Sequence, residues 1–130
     1  MSGFHQGRCS AKSMLVATTF VLLLLLQFRS TGATTFTVGD TSGWTFSFNQ
    51  SWTNGKKFKA CDILVFNYDP SLHNVVVVDE NGYNSCSSSP SSKTYATGKD
   101  KVKLSKGRNY FICGIPGHCD GGLKIAVDAS

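Results

Sequence analysis

A chain of 130 residues bounds the answer at one small domain. Its formal charge of +5 shrinks to +2 over residues 33–130, because Arg8, Lys12 and Arg29 fall before them and leave 10 basic against 8 acidic residues. So mild a basic balance, with no base-reading or phosphate-binding motif, argues against nucleic acid as a partner.

Residues 1–32 read as a secretory signal peptide and not as part of the fold. Arg8 and Lys12 give a positive start, and Met14 to Phe28 is a Leu-rich apolar run. Ser30, Thr31, Gly32 and Ala33 then offer a cleavage site near Gly32 or Ala33. The run is short for a membrane span and Arg29 closes it. No apolar tail follows Lys124 to Ser130, so no anchor is expected. The expected product is a soluble, monomeric, extracellular domain of residues 33–130, small enough to gain from a covalent staple. His5 and Cys9 would leave with the leader.

Thr34 to Val38 alternates polar and apolar residues and reads as a first strand. Gly39-Asp40 and Ser42-Gly43 are turns. Trp44, Phe46 and Phe48 alternate with Thr45 and Ser47, which predicts an aromatic face packed in the core. Asn49 to Lys57 is a polar loop that turns at Asn54-Gly55, with Trp52 beneath it. Asn49-Gln50-Ser51 is an N-glycosylation sequon in an extracellular chain.

Ile63 to Tyr68 is a buried strand, broken by Asp69-Pro70-Ser71. Asn74 to Asp79 is the next, with His73 at its mouth. Asn81-Gly82 signals a turn. The Ser-rich stretch Tyr83 to Lys93 has no periodicity and reads as an irregular surface connection with room for a short helical turn. Thr94 to Ala96, Lys101 to Leu104, Asn109 to Cys113 and Leu123 to Val127 supply the remaining strands. Seven or eight short strands with regular turns imply an all-β antiparallel sandwich or barrel.

The chemistry concentrates in Tyr110 to Leu123, YFICGIPGHCDGGL. A straight strand cannot bring Cys113 and His118 to one point, but a chain that reverses at Pro116-Gly117 can. His73 arrives from a separate strand. Two imidazoles and one thiolate with a weak axial group describe a blue-copper electron-transfer centre. Each residue alone is more often a core cysteine or a surface histidine; the conjunction carries the reading. Zinc would add Cys119 as a fourth ligand. A Cys–His nucleophile is the catalytic alternative, but nothing suggests an oxyanion hole or substrate cleft, so no enzyme is expected. Cys61, Cys86, Cys113 and Cys119 could also form two disulfides in any of three pairings.

Residues 33–130 resemble the phytocyanins, specifically the plantacyanin or basic blue protein branch. The matching stretches are Gly43-Trp44-Thr45-Phe46, Asp62 to Tyr68, His73 to Val78, YFICGIPGHC and Lys124 to Val127. The resemblance implies a cupredoxin-like Greek-key sandwich secreted to the apoplast or cell wall. It implies one type 1 copper ion on His73, Cys113 and His118, and a Cys86–Cys119 disulfide that would pin the ligand loop to the Ser-rich connection. It implies that Asn74 ties the two ligand loops together, with its N–H near the Cys113 sulfur. Partners would be a redox protein or an anionic wall component facing the lysine clusters.

Two positions depart from the family. Its axial Met or Gln is replaced by Leu123, which cannot coordinate; this predicts a trigonal site of raised potential. The alternative is a copper-free, nodulin-like binding or signalling module, although such relatives have usually lost the ligands that this chain keeps. Cys61 stands where the family carries Gly, and with Cys86–Cys119 paired and Cys113 on copper it is left over. It would then be a buried free thiol or an intermolecular bridge, strained if its backbone needs a positive φ.

Overall fold

Runs of β-branched and aromatic residues become seven strands in a computed structural model that describes Cys9 and residues 32–130. The rest of the expected leader lies outside the described residues. The strands are β1 (Thr35–Thr37), β2 (Ile63–Asn67), β3 (Val75–Val78), β4 (Lys93–Tyr95), β5 (Lys99–Lys103), β6 (Gly107–Ile112) and β7 (Lys124–Ala129). They form two sheets, ordered β1-β2-β5 and β4-β3-β6-β7. The chain crosses between sheets after β2, β4 and β5, as a Greek-key sandwich requires. β1 and β2 run parallel; every other pair is antiparallel, as the strand reading expected.

The sheets close on one core. Leu64 and Phe66 of β2 and Val102 of β5 face Val75, Phe111, Ile125 and Val127 of the larger sheet. The Phe66 and Phe111 rings lie 5.4 Å apart, and Trp44 stands edge-on to Phe66 at 5.0 Å. β3 is apolar throughout because it is covered on both sides. Its outer face packs Val76 with Ile112 and Cys119 into a second, smaller cluster, flanked by Tyr83 and Cys86. The Cys86–Cys119 disulfide crosses that cluster, with Cα atoms 5.6 Å apart.

Two expectations are corrected. The 44–48 segment is a series of bends and not a strand, so its alternation does not define one face. Gly43 turns it at φ +76, in a space where a Cβ would meet the Asn67 carbonyl oxygen at 2.6 Å. Trp44 and Phe48 are buried as expected, but Phe46 is 61% exposed. Asn81-Gly82 does not close a hairpin: it sits inside a short helix, α1 (Glu80–Ser85). The Asp79 carboxylate caps that helix by accepting the Gly82 N–H at 2.8 Å, which outcompetes the local turn signal.

In the full chain Cys61 is bonded to Cys9, a residue of the expected leader, and in residues 33–130 it is left over as expected. Its backbone does occupy φ +79, the strained position foreseen for a residue that replaces Gly. Left-handed backbone costs a side-chain-bearing residue about 1–2 kcal/mol. In the chain from which residues 1–32 have been removed, Cys61→Gly should therefore raise stability by about 1 kcal/mol, or roughly 4–8 °C in Tm. Thermal unfolding checks this; an unchanged or lower Tm contradicts it.

Candidate metal centre

β2 ends at Asn67, and the chain must turn before β3 begins at Val75. Asp69 builds that turn. Its backbone oxygen accepts the N–H groups of Leu72 and His73 at 2.9 and 3.0 Å. Its carboxylate accepts the Ser71 hydroxyl and N–H at 2.7 and 2.9 Å, bonds that hold the carboxyl below its ordinary range. Just before the turn, Tyr68 anchors the segment. Its N–H donates to the Gly98 oxygen at 2.9 Å, and its hydroxyl donates to the buried carboxylate of Asp100. Burial, and then that bond, push the Tyr68 phenol up to about 12. His73 is delivered at the far side of this turn, 2% exposed.

The second loop leaves β6 at Cys113. The Ile115-Pro116-Gly117-His118 turn closes with the His118 N–H donating to the Ile115 oxygen at 3.0 Å. Gly117 takes φ +86, the geometry glycine supplies after a corner proline. Leu123 then grips both ends of the loop with its backbone. Its oxygen accepts the Cys113 N–H at 3.1 Å, and its N–H donates to the His118 oxygen at 3.0 Å.

The two loops bring the three foreseen residues together. His73 Nδ1 lies 3.1 Å from His118 Nδ1. The Cys113 sulfur lies 3.8 Å from the first ring nitrogen and 3.5 Å from the second. His73, Cys113 and His118 would hold one ion: bonds of about 2.0 Å to nitrogen and about 2.3 Å to sulfur would need separations of roughly 3.5–3.7 Å, and the observed 3.1, 3.5 and 3.8 Å lie near that range. The donor set suits copper: one soft thiolate and two imidazoles. Cys119 is in the disulfide, so the four-ligand zinc reading that used it is closed. Cys113 is a free, buried cysteine.

The surroundings favour a metal over a proton. Burial, and then the neighbouring His118, lower the His73 pKa; Asp69 opposes them weakly. His73 Nε2 is buried with no hydrogen-bond partner among the described residues, so only the cluster engages the polar edge of that ring. Asn74 ties the loops, as the resemblance implied, through its side chain: Oδ1 accepts the Gly114 N–H at 2.6 Å. Its backbone oxygen accepts the Trp44 indole N–H at 2.9 Å, which locks the tie to the core. A Cβ on Gly114 would stand 2.8 Å from Val76 and 3.2 Å from the Asn74 oxygen, so glycine is what lets the loops meet. The hydrogen bonds to Cys113 Sγ among the described residues are those of the two rings.

The plastocyanin-like domain family matches residues 44–123, a span that contains all three cluster residues. The chain belongs to this phytocyanin family. Among its relatives, a chemocyanin of Lilium longiflorum is 48% identical over 125 residues, 96% of this chain and 98% of the relative. A basic blue protein of Arabidopsis thaliana is 48% identical over 127 residues, 95% of this chain and 98% of the relative. The solved structure of cucumber basic protein, a blue copper protein, is 52% identical with a TM-score of 0.71, over 74% of this chain and 99% of that one. The cucumber relative is a blue copper protein, and the fold of this chain is that of the cupredoxins.

One residue of this phytocyanin's site escaped the sequence reading. The Phe46 ring stands edge-on over His73 and His118 at 4.7 and 4.6 Å, bridging the two imidazoles from outside. Period-two alternation placed it in the core; only the Gly43 bend could have signalled otherwise. Aromatic contacts of this kind contribute about 0.5–1.5 kcal/mol each. Phe46→Ala should thus let a chelator strip copper about tenfold faster, at a cost of up to about 1–3 kcal/mol in folding stability; an unaltered removal rate contradicts the role. Tyr68→Phe should instead destabilise the fold by about 1–3 kcal/mol in urea, because it takes a donor from buried Asp100.

Proposed function

We propose that this phytocyanin is secreted and carries single electrons on one type 1 copper ion held by His73, Cys113 and His118, without an axial Met or Gln. The observation that carries the reading is the convergence of a sulfur and two ring nitrogens, from separate loops, within 4.8 Å of one another. Copper, when bound, supplies a one-electron couple. The protein's own part is to keep the ligand set nearly fixed in both oxidation states. Asn74, the Leu123 backbone and the Cys86–Cys119 bond do so by holding both loops to β strands.

Leu123 is 2% exposed and packs in the same core cluster as Cys113. Its side chain has no donor atom, which supports a trigonal site in which Cu(II) is less favoured than with an axial thioether. His118 is the half-buried ligand, and its rim carries exposed Phe46, whose ring lies 4.6 Å from it, and exposed Pro116 in the turn before it. A redox partner would meet that rim. Lys99, Lys101 and Lys103 line the exposed face of β5, which suits an anionic partner or wall component.

Secretion is supported by relatives that align over 125 of the 130 residues, and so over most of the predicted leader. No helix of the described residues is long and apolar enough to cross a membrane. Asn49 is exposed and spends its Oδ1 on the Ser51 N–H at 2.8 Å, which leaves the amide nitrogen free for a glycan.

One equivalent of Cu(II) should produce intense visible absorption from sulfur-to-copper charge transfer, and Cys113→Ser should abolish it. Leu123→Met should lower the reduction potential by an amount on the order of tens of millivolts. A colourless mixture contradicts copper carriage. An unchanged potential contradicts an axial role for position 123 alone.

A further inference from the structure

Asp62 is a buried carboxylate, 3% exposed, that the metal centre does not use. Its hydrogen-bond partners among the described residues are two backbone N–H groups and no side-chain cation. Oδ1 accepts the N–H of Thr34 at 2.8 Å, and Oδ2 accepts that of Lys59 at 2.9 Å. A buried carboxylate normally finds a cation, because neutral donors offset only part of its lost hydration. Thr34 sits one residue before β1, where its oxygen accepts the Ile63 N–H at 2.9 Å. Its nitrogen is therefore fixed in space by the sheet.

That nitrogen belongs to the peptide bond between Ala33 and Thr34. Small residues stand at the first and third positions before it, Ala33 and Thr31, in the pattern a signal peptidase reads. We propose that the leader is cut at the Ala33–Thr34 bond, and that the α-ammonium so created on Thr34 is captured by Asp62. The inference rests on the secreted reading above. The step is a hydrolysis: water adds across the amide, Ala33 leaves with a new carboxylate, and Thr34 keeps the nitrogen as an ammonium. The donor already 2.8 Å from Asp62 gains a positive charge without moving. Charge-assisted hydrogen bonds are roughly twice as strong as neutral ones. A cut one residue earlier, after Gly32, would leave the charge on Ala33 and give Asp62 only a neutral amide. Processing therefore completes the fold at its first strand, and the precursor lacks this ion pair.

The full 130-residue chain, expressed in a secreting eukaryotic host, tests this. Mass spectrometry of the secreted protein should find Thr34 first. Reductive methylation with a carbon-13 label, which preserves the charge, then reports the pKa of that amine by NMR. It should titrate about one unit above the ordinary amino-terminal range of roughly 7.7–8.0. Lys59, on the adjoining segment, and Lys103, opposite Ile63 on β5, are cations that would lower it, so an upward shift reports Asp62. Asp62→Asn should return the value to the ordinary range; should that variant not fold, the wild-type chain unfolded in urea is the reference. Any other first residue in a secreted product overturns the proposal and leaves secretion standing. Thr34 first with an unshifted amine overturns the ion pair. A cell-retained chain with its leader intact overturns both this proposal and the secreted reading.

Discussion

Two ring nitrogens and a sulfur, each rich in electrons, are held with the nitrogens 3.1 Å apart and the sulfur within 3.8 Å of both. Left free, such atoms would turn away or take up a proton between them. The rest of the structure answers that constraint. The Asp69 turn and the Tyr68–Asp100 bond fix the approach of His73. The Pro116-Gly117 corner and both backbone bonds of Leu123 fix the return of His118. Neither loop could relax alone, because the Asn74 oxygen and the Gly114 N–H lock one to the other. A cation placed among the three atoms turns mutual repulsion into shared attraction.

Support for this arrangement comes from two cores of unequal size. The main core is shared by both sheets and contains Cys113 itself, so the thiol rests on rigid packing. The smaller one lies outside the four-stranded sheet and is crossed by the Cys86–Cys119 bond, which closes a loop of 33 residues. By the chain-entropy argument such a bond contributes about 3–4 kcal/mol. Its position matters as much as its strength: Cys119 follows His118 directly, so the bond also restrains where that imidazole lies.

Much of this could be read from residue order. β2, β3, β6 and β7 announced themselves as apolar runs, because strands covered on one or both faces must be apolar. The ligand trio was legible because copper chemistry allows few donor sets and because Pro116-Gly117 supplies the reversal that set needs. The strain at Cys61 was legible as a side chain where glycine belongs. Other features depended on competition that a linear pattern does not show. Asn81-Gly82 became part of α1 because Asp79 captured the Gly82 N–H. Phe46 left the core because bends at residues 43–48 replace a strand, and it became the outer cover of both imidazoles. Asp62 stood in the sequence only as the first residue of a matching stretch, and the fold shows that it lies beside the first strand.

One ion bound by one sulfur and two imidazole nitrogens is the centre on which the proposed electron transfer depends. X-ray absorption spectroscopy of the copper-loaded protein measures that directly. A single short copper–sulfur distance and two copper–nitrogen distances from imidazole are expected, with no second sulfur. A spectrum without a sulfur neighbour, or with nitrogen and oxygen neighbours alone, would contradict that centre.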